Sequence, residues 1–416
     1  MTEVHVVSKL DNQQHASVTL PAEEGVGQLA ESSIRVRTLL VTPYNDPSTW
    51  GIVPAWGYAA VEESTIPELS KGAVLWGFWP TSSLPTDLKL NLGKRPGDWT
   101  EISEHRQQLM PLYNYYTTAS VSESISVISN PGADSPSVQD ERERLAWTSI
   151  FGILWRAGYL LSEHVFPSHP EKQAIHPLGS VAGLDWTAAD GDLSSAVVVS
   201  LAASTKTGHA FAYNLQRRLI ESAPLGLLQV TSSVARISKA EGNSPKSFPS
   251  KIIDYADVAA ETSAKWMADL KPSKIVVLDF GARSNALDQF LDLVKKDPVL
   301  QSSKVMIVMI GGQQKVYTNE ELQAAMKAIA DLGKIQYNTS GVQETLLETL
   351  GSEEYYGVIS KLWDEWLVNR HLNVPGFNII WGKGISGVDG IEGGWGRLSR
   401  GEVGSEEGLV YTVSRT

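Results

Sequence analysis

The chain has 416 residues, 42% hydrophobic and 20% charged, which excludes a wholly disordered protein and, at roughly 150 residues per domain, leads to two or three domains. Thirty-five Lys and Arg against 47 Asp and Glu leave a net charge of −12, the wrong sign for a phosphate-neutralising nucleic-acid binder. The absence of cysteine excludes disulfides, thiolate metal sites and a cysteine nucleophile together.

In chain order, MTEVHVVSKLDNQQ alternates and carries no signal-peptide core, and VHVVSKL with ASVTLP reads as a hairpin or edge pair. From Ile34 the texture is strand and turn: IRVRTLLVTPY, AWGYAAVEES, GAVLWGFWP and TDLKLNLG. Pro43, Pro47, Pro54, Pro67, Pro80 and Pro85 punctuate it, as in a small irregular barrel. SNPGADSPSVQD (129–140) reads as a linker or surface loop. ERERLAWTSIFGILWRAGYLLSEHVF (141–166) then has helical spacing. SAVVVSLA (195–202) is a β-branched run fit for burial on both faces. Helix and strand alternate through LGLLQVTS, SKIIDYADV, SKIVVLDFG, NALDQFLDLVKK and SKVMIVMIGG, which predicts a doubly wound parallel sheet. Two helix signals follow, ELQAAMKAIADLG and GSEEYYGVISKLWDEWLVNRH, before a Gly-rich tail read as irregular. No apolar run approaches the ~20 residues of a spanning helix. The expected division is 1–173 with 334–416 as the barrel domain and 174–333 as the nucleotide-binding domain.

In open α/β sheets, ligands bind beyond the carboxyl ends of the strands, where strand order reverses. The first buried strand leads into SLAASTKTGHAF, where a G-x-G-x-x-G fingerprint would stand but only Gly208 does, behind Ala202 and Ala203. Small residues still admit a pyrophosphate at a helix N-terminus. Lys206 and the hydroxyls of Ser204, Thr205 and Thr207 add donors. The same residues also suit a plain helix cap. The second strand ends in Thr231, Ser232 and Ser233, followed by Arg236, where an NAD fold places an acid on the ribose diol. Hydroxyls plus a guanidinium suit a 2′-phosphate, so NADPH is expected over NADH; a solvated helix face is the competing reading. Gly281 and Gly311, after the next two strands, are further cofactor candidates.

Other constellations fail. His164, His169 and His176 lie in a Pro-containing stretch and read as surface histidines, so no metal is expected. No G-x-S-x-G elbow occurs. Aromatic residues crowd positions 44 to 116, from Tyr44 to the cluster PLYNYY. Tyr113 and Tyr116 are candidate proton donors, against the alternative of hydrogen-bonded structural tyrosines.

These residues resemble the medium-chain dehydrogenase/reductase superfamily, on its zinc-independent, quinone-oxidoreductase-like side. VTPYNDPST is similar to the family's strand and Asn-x-x-Asp stretch, with Asn45 in the Asn position and Tyr44 beside it as catalytic candidates. IVPAWGYAAVEES and SKGAVLWGFWP follow the family's glycine succession at Gly57, Gly72 and Gly77, but depart from it at Tyr58, Ala60 and Ala73. Within the superfamily the likeness is to the fungal DUF2855 family, through PAWGYAAVEES, EHRQQLMPLYNYY, the turn Ala203 to Thr207, VTSSVAR, IIDYADV and VVLDFGA. The resemblance implies a GroES-like barrel plus a Rossmann domain, with the active-site cleft between them. It implies an NADPH-dependent reductase of an enone, quinone or ketone in fungal secondary metabolism. Tyr113 or Tyr116 would be the proton donor and Lys206 would hold phosphate or polarise oxygen. The expected protein is cytoplasmic, takes a hydrophobic or aromatic small molecule, binds neither membrane nor nucleic acid, and leaves a homodimer open. The alternative is an isomerase, lyase or cyclase that has lost the cofactor, and a non-catalytic binding protein also stays open.

Overall fold

The computed structural model describes residues 2–9, 11–20, 28–36, 50–120, 135–169, 171–180, 184–242, 246–283, 285–312, 323, 327 and 332–413. The chain divides into two compact units, Met1–Gly152 with Asn378–Thr416, and Ile153–Phe377.

In the first unit, β1 (Thr2–Ser8) and β2 (His15–Leu20) form the expected hairpin, Val4 opposite Val18. β3 (Ser33–Val36) enters a barrel, while β4 (Trp50–Gly51) pairs with the free side of β1. β5 (Pro54–Ser64), β6 (Val74–Pro80), β7 (Thr86–Leu92), β8 (Asp98–Glu101) and β9 (Tyr115–Thr118) close the barrel in the order β3-β5-β6-β9-β8-β7. Alternation drives closure: along β7 the residues Thr86, Leu88 and Leu90 are buried while Asp87 and Lys89 face water. Ile34, Val36, Val61, Leu75, Trp79, Trp99 and Tyr116 complete the interior. Outside, the guanidinium of Arg35 joins three strands through Asp87 (2.7 Å) and Glu63 (2.9 Å). The stretch read as a linker is in part a helix. α1 (Pro136–Leu160) starts inside it, with proline at a position where its missing N–H costs nothing.

In the second unit the sheet order is β12-β11-β10-β13-β14-β15, all pairs parallel. These strands are β10 (Ala196–Leu201), β11 (Gly226–Val230), β12 (Ser250–Ile253), β13 (Lys274–Asp279), β14 (Lys304–Met309) and β15 (Ile335–Gln336). Counted in chain order this is 3-2-1-4-5-6, the dinucleotide-binding order, with its reversal between β10 and β13. α2 (Lys206–Gln216), α3 (Val234–Gly242), α4 (Glu261–Asp269) and α5 (Ala286–Lys296) alternate with the strands. All six residues of β10 and all six of β13 are buried, as their aliphatic runs require. α6 (Thr339–Thr349) and α7 (Ser352–Val368) follow; most of ELQAAMKAIADLG lies outside the described residues.

The sequence assigns residues 153–173 and 334–377 to the barrel domain, yet they fall in the sheet-bearing unit. Their packing explains the difference. A Cβ on Gly158 would come within 2.6 Å of the Phe211 backbone on α2. Tyr337 donates its hydroxyl to the Ala157 carbonyl at 2.9 Å, and buried Arg218 bonds the carbonyls of Ser162 and Phe166. No periodicity in the sequence reports such contacts.

The Gly-rich tail is not irregular, a second departure from the sequence reading. β16 (Asn378–Lys383) pairs in parallel with β17 (Glu407–Thr412), and α8 (Ile391–Ser399) makes the crossover a parallel pair needs. Glycines hide the pattern, and two of them, Gly382 and Gly394, make room for one side chain. A Cβ on Gly382 would lie 2.3 Å from the Tyr411 ring, and one on Gly394 would lie 1.8 Å from its oxygen. Among the described residues, no helix is long and apolar enough to cross a membrane.

Candidate functional site

The carboxyl end of β10 is where the sheet reverses, and the turn into α2 begins there. Ala202 takes the left-handed conformation at φ +58°, which costs a non-glycine residue on the order of 1–2 kcal/mol. Its neighbour Ala203 donates to the Val230 carbonyl (3.0 Å), which ties the turn to the end of β11. Thr205 caps the helix, its hydroxyl accepting from the Gly208 amide at 3.2 Å. At Gly208 a Cβ would meet that hydroxyl at 2.9 Å and the carbonyls of Ala203 and Ala202 at 3.2 and 3.3 Å. Here the turn's one fingerprint glycine has no room for a Cβ.

Two cations flank this helix start. Arg236, in the first turn of α3, reaches back and donates from Nη2 to the Ser204 carbonyl at 3.3 Å. The Lys206 ammonium stands 5.3 Å from the centre of the Phe377 ring. First-turn amides of a helix lack intrahelical acceptors and point out of its N-terminus. Ser204, Thr205, Lys206, Thr207, Gly208 and Arg236 are thus brought to one place. A helix start between an ammonium and a guanidinium offers positive charge and N–H donors to anionic oxygens. Thr231 and Ser233 are used differently: buried Thr231 accepts the Ser233 amide on its hydroxyl at 3.0 Å, an ST turn leading into α3. Ser232 is exposed beside them.

Gly281 and Gly311 follow β13 and β14 on the same edge of the sheet. Gly281, at φ +103°, donates to the Asp279 carboxylate at 3.0 Å, and Ala282 does so at 2.8 Å. The Asp279 carbonyl accepts from Ile310 (2.8 Å) and Gly311 (3.3 Å). Asp279 organises both strand ends, and sequence reasoning passes over it as the polar end of a strand.

His209 is a second residue missed. It is buried in α2, desolvation lowers its pKa to about 4, and its Nε2 meets the Asn373 carbonyl. A neutral imidazole facing a carbonyl must donate, so the tautomer is defined. Below it lies a buried carboxylate, Glu241, which accepts from Gln216, Gln229, Lys246 and, at 2.7 Å, Ser250. His209, Gln216, Gln229, Glu241 and Asn373 line one cavity between α2 and α3. The only sequence signal for this network is the glutamine in the middle of LGLLQV.

On the barrel, the two candidate tyrosines separate. Tyr116 is fully buried, its hydroxyl donates to the Phe78 carbonyl at 3.0 Å, and burial pushes its pKa up to about 12. Its ring packs on Trp79 at 4.8 Å. A hydroxyl sealed in a barrel core and committed to the main chain cannot meet a substrate, so Tyr116 is removed from the catalytic candidates. Tyr113 is half-buried on the outer side, 4.6 Å from the Phe78 ring and 5.9 Å from that of Trp56. Tyr44 and Asn45 lie outside the described residues.

His164 is not a surface residue; it is half-buried and desolvation lowers its pKa to about 4, whereas His169 is exposed. Among the described residues, no three His, Asp or Glu side chains are grouped to hold a metal. A literal G-x-G-x-x-G does occur, at Gly382, Gly384 and Gly387, running from the end of β16 toward α8. It makes no phosphate cradle, because the Glu392 carboxylate already takes the Gly387 amide (2.7 Å) and the Ser17 amide (3.3 Å).

A family model described as a protein of unknown function, DUF2855, matches residues 32–404. No curated protein matches the sequence. Among solved structures, a mutant form of enoyl thioester reductase from Candida tropicalis is 7% identical, covers 92% of each chain and has a TM-score of 0.43. The mitochondrial 2-enoyl thioester reductase heterodimer of the same organism is 8% identical, covers 94% of each chain and scores 0.43. The human synaptic vesicle membrane protein VAT-1 homolog-like protein is 10% identical, covers 100% of each chain and scores 0.40.

Proposed function

The chain belongs to the DUF2855 family, whose description assigns no activity, and we propose from its own residues that it is an NADPH-dependent reductase of an enone, quinone or ketone. The observation that carries this reading is the pair of cations at the start of α2, at the reversal point of a 3-2-1-4-5-6 sheet. Lys206, the first-turn amides and the Ser204 and Thr207 hydroxyls would hold the pyrophosphate. Arg236, with Ser232 beside it, would take the 2′-phosphate, and no acid stands between Gln229 and Ala240 to repel it. When bound, the reduced nicotinamide supplies hydride. The protein's part is to orient the reactants, keep out water and provide one proton. Tyr113 is the proposed donor, since its hydroxyl makes no hydrogen bond to the described residues. A homodimer, a cytoplasmic setting, and a role in fungal secondary metabolism belong to this reading through the sequence resemblance.

One observation favours a second reading, a non-redox isomerase, lyase or cyclase. Ala202 occupies a left-handed turn position that a functional fingerprint gives to glycine, and Thr205 already consumes the Gly208 amide. Titration with NADPH, NADH and buffer, read by quenching of tryptophan fluorescence, separates the two. The reductase reading expects saturable quenching by NADPH at lower concentration than by NADH. Quenching by neither nucleotide overturns it in favour of the second.

A further inference from the structure

The segment that follows α7 lies against the start of α2 and holds it at two points. The Asn373 carbonyl accepts a hydrogen bond from His209 Nε2, and one helical turn earlier the Lys206 ammonium stands 5.3 Å from the Phe377 ring centre. Phe377 is buried at 8% exposure and does not move freely. Its own backbone is anchored, with the Phe377 amide donating to the Val374 carbonyl at 3.3 Å, and Val374 donating to Arg370 at 2.8 Å. The ring is therefore held in place beside the Lys206 ammonium.

We propose that Phe377 is a positioning residue for the cofactor phosphates, acting through Lys206. The inference rests on the reductase reading above and adds to it a residue about 170 positions away in sequence. A lysine side chain has large rotamer entropy, part of which it loses when its ammonium is fixed on a phosphate. A ring face near the ammonium of half-buried Lys206 restricts it beforehand through cation–π attraction. Less freedom is then lost on binding, and the phosphate meets a charge already near its place. Phe377 touches no cofactor atom in this scheme. Its effect must vanish when Lys206 is gone.

The test is a double-mutant cycle on the full-length protein with NADPH as the probe. Phe377→Leu is expected to weaken NADPH binding about threefold to tenfold, with Phe377→Tyr restoring most of it. Lys206→Met weakens binding by itself, and adding Phe377→Leu in that background changes nothing further. Labelling of Lys206 by acetic anhydride, read by mass spectrometry, is expected to rise in Phe377→Leu and to fall back in Phe377→Tyr. This readout needs no cofactor and does not follow a general loss of packing, because the other lysines serve as internal standards. If Phe377→Leu weakens binding equally with and without the lysine, Phe377 is a structural wall and the proposal is overturned. If Lys206 labelling is unchanged in Phe377→Leu, it is overturned too, with the reductase reading left standing. A wild-type protein that binds no NADPH overturns the reading and, with it, this role for the ring.

Discussion

Replacing Tyr116 with Phe separates the two roles this residue could have. The substitution keeps the ring, which fills the barrel core against Trp79 and lies where a Cβ on Gly77 would be 2.1 Å away, so it opens no appreciable cavity. What it removes is one neutral hydrogen bond, 3.0 Å long, from a hydroxyl that burial keeps protonated to about pH 12. Such a bond contributes about 0.5–1.5 kcal/mol net, and the Phe78 carbonyl left behind sets the cost toward the upper part of that range. Gly77→Ala supplies the contrast, since it drives a methyl group into the same ring and overpacking costs about 1–3 kcal/mol before the hydrogen bond is disturbed. Urea unfolding followed by tryptophan emission reads both, because Trp79 and Trp99 share this core. The expected order of midpoints is wild type, then Tyr116→Phe, then Gly77→Ala, with turnover by Tyr116→Phe within about twofold of wild type. Unchanged stability with a turnover loss of ~10²-fold, the scale of a lost proton donor, would refute the assignment of Tyr116 to the core.

Other outcomes follow from the same geometry. Tyr113→Phe is expected to lower kcat by ~10² or more with KM little changed, as checked by steady-state kinetics on a substrate once one is found. Arg236→Ala should weaken NADPH binding by about 1.5–3 kcal/mol and leave NADH nearly unchanged, measured by calorimetry; equal losses would mean that Arg236 only supports the Ser204 turn. Acid should destabilise the fold through His5, His164 and His209, whose pKa values burial lowers to about 4. The unfolded chain takes up these protons near pH 6.5 while the folded chain does not. Stability is therefore full above that pH and falls between 6.5 and about 4, by up to ~1.4 kcal/mol per pH unit for each histidine. Urea midpoints across this range check it, and a flat profile would show that these sites open to solvent.

Local pattern carried the sheet. The β-branched runs SAVVVSL and KIVVLD read as central parallel strands buried on both faces, and the helices between them make right-handed crossovers, so a doubly wound parallel sheet was legible while its 3-2-1-4-5-6 order came from the structure. The turn Ala202 to Gly208 was legible for the same reason: whatever follows a first buried strand and starts a helix must lie at the reversal point. Barrel closure was legible in outline, from alternation and proline spacing. Side-chain fate was not. Tyr113 and Tyr116 are three residues apart in PLYNYY, yet one leaves the barrel and the other fills it, because Gly77 on a neighbouring strand vacates the space that its ring takes. Arg236 meets Ser204 from 32 positions away, Asn373 meets His209 from 164, and Phe377 meets Lys206, all through packing that sums many weak contacts across the chain. The glycines of the tail conceal a strand–helix–strand unit because two of them, Gly382 and Gly394, answer to the Tyr411 side chain rather than to any helical or strand period. Sequence by itself determined where the backbone must be buried; only tertiary structure decided which side chains meet, since burial is a property of a run of residues and contact is a property of pairs.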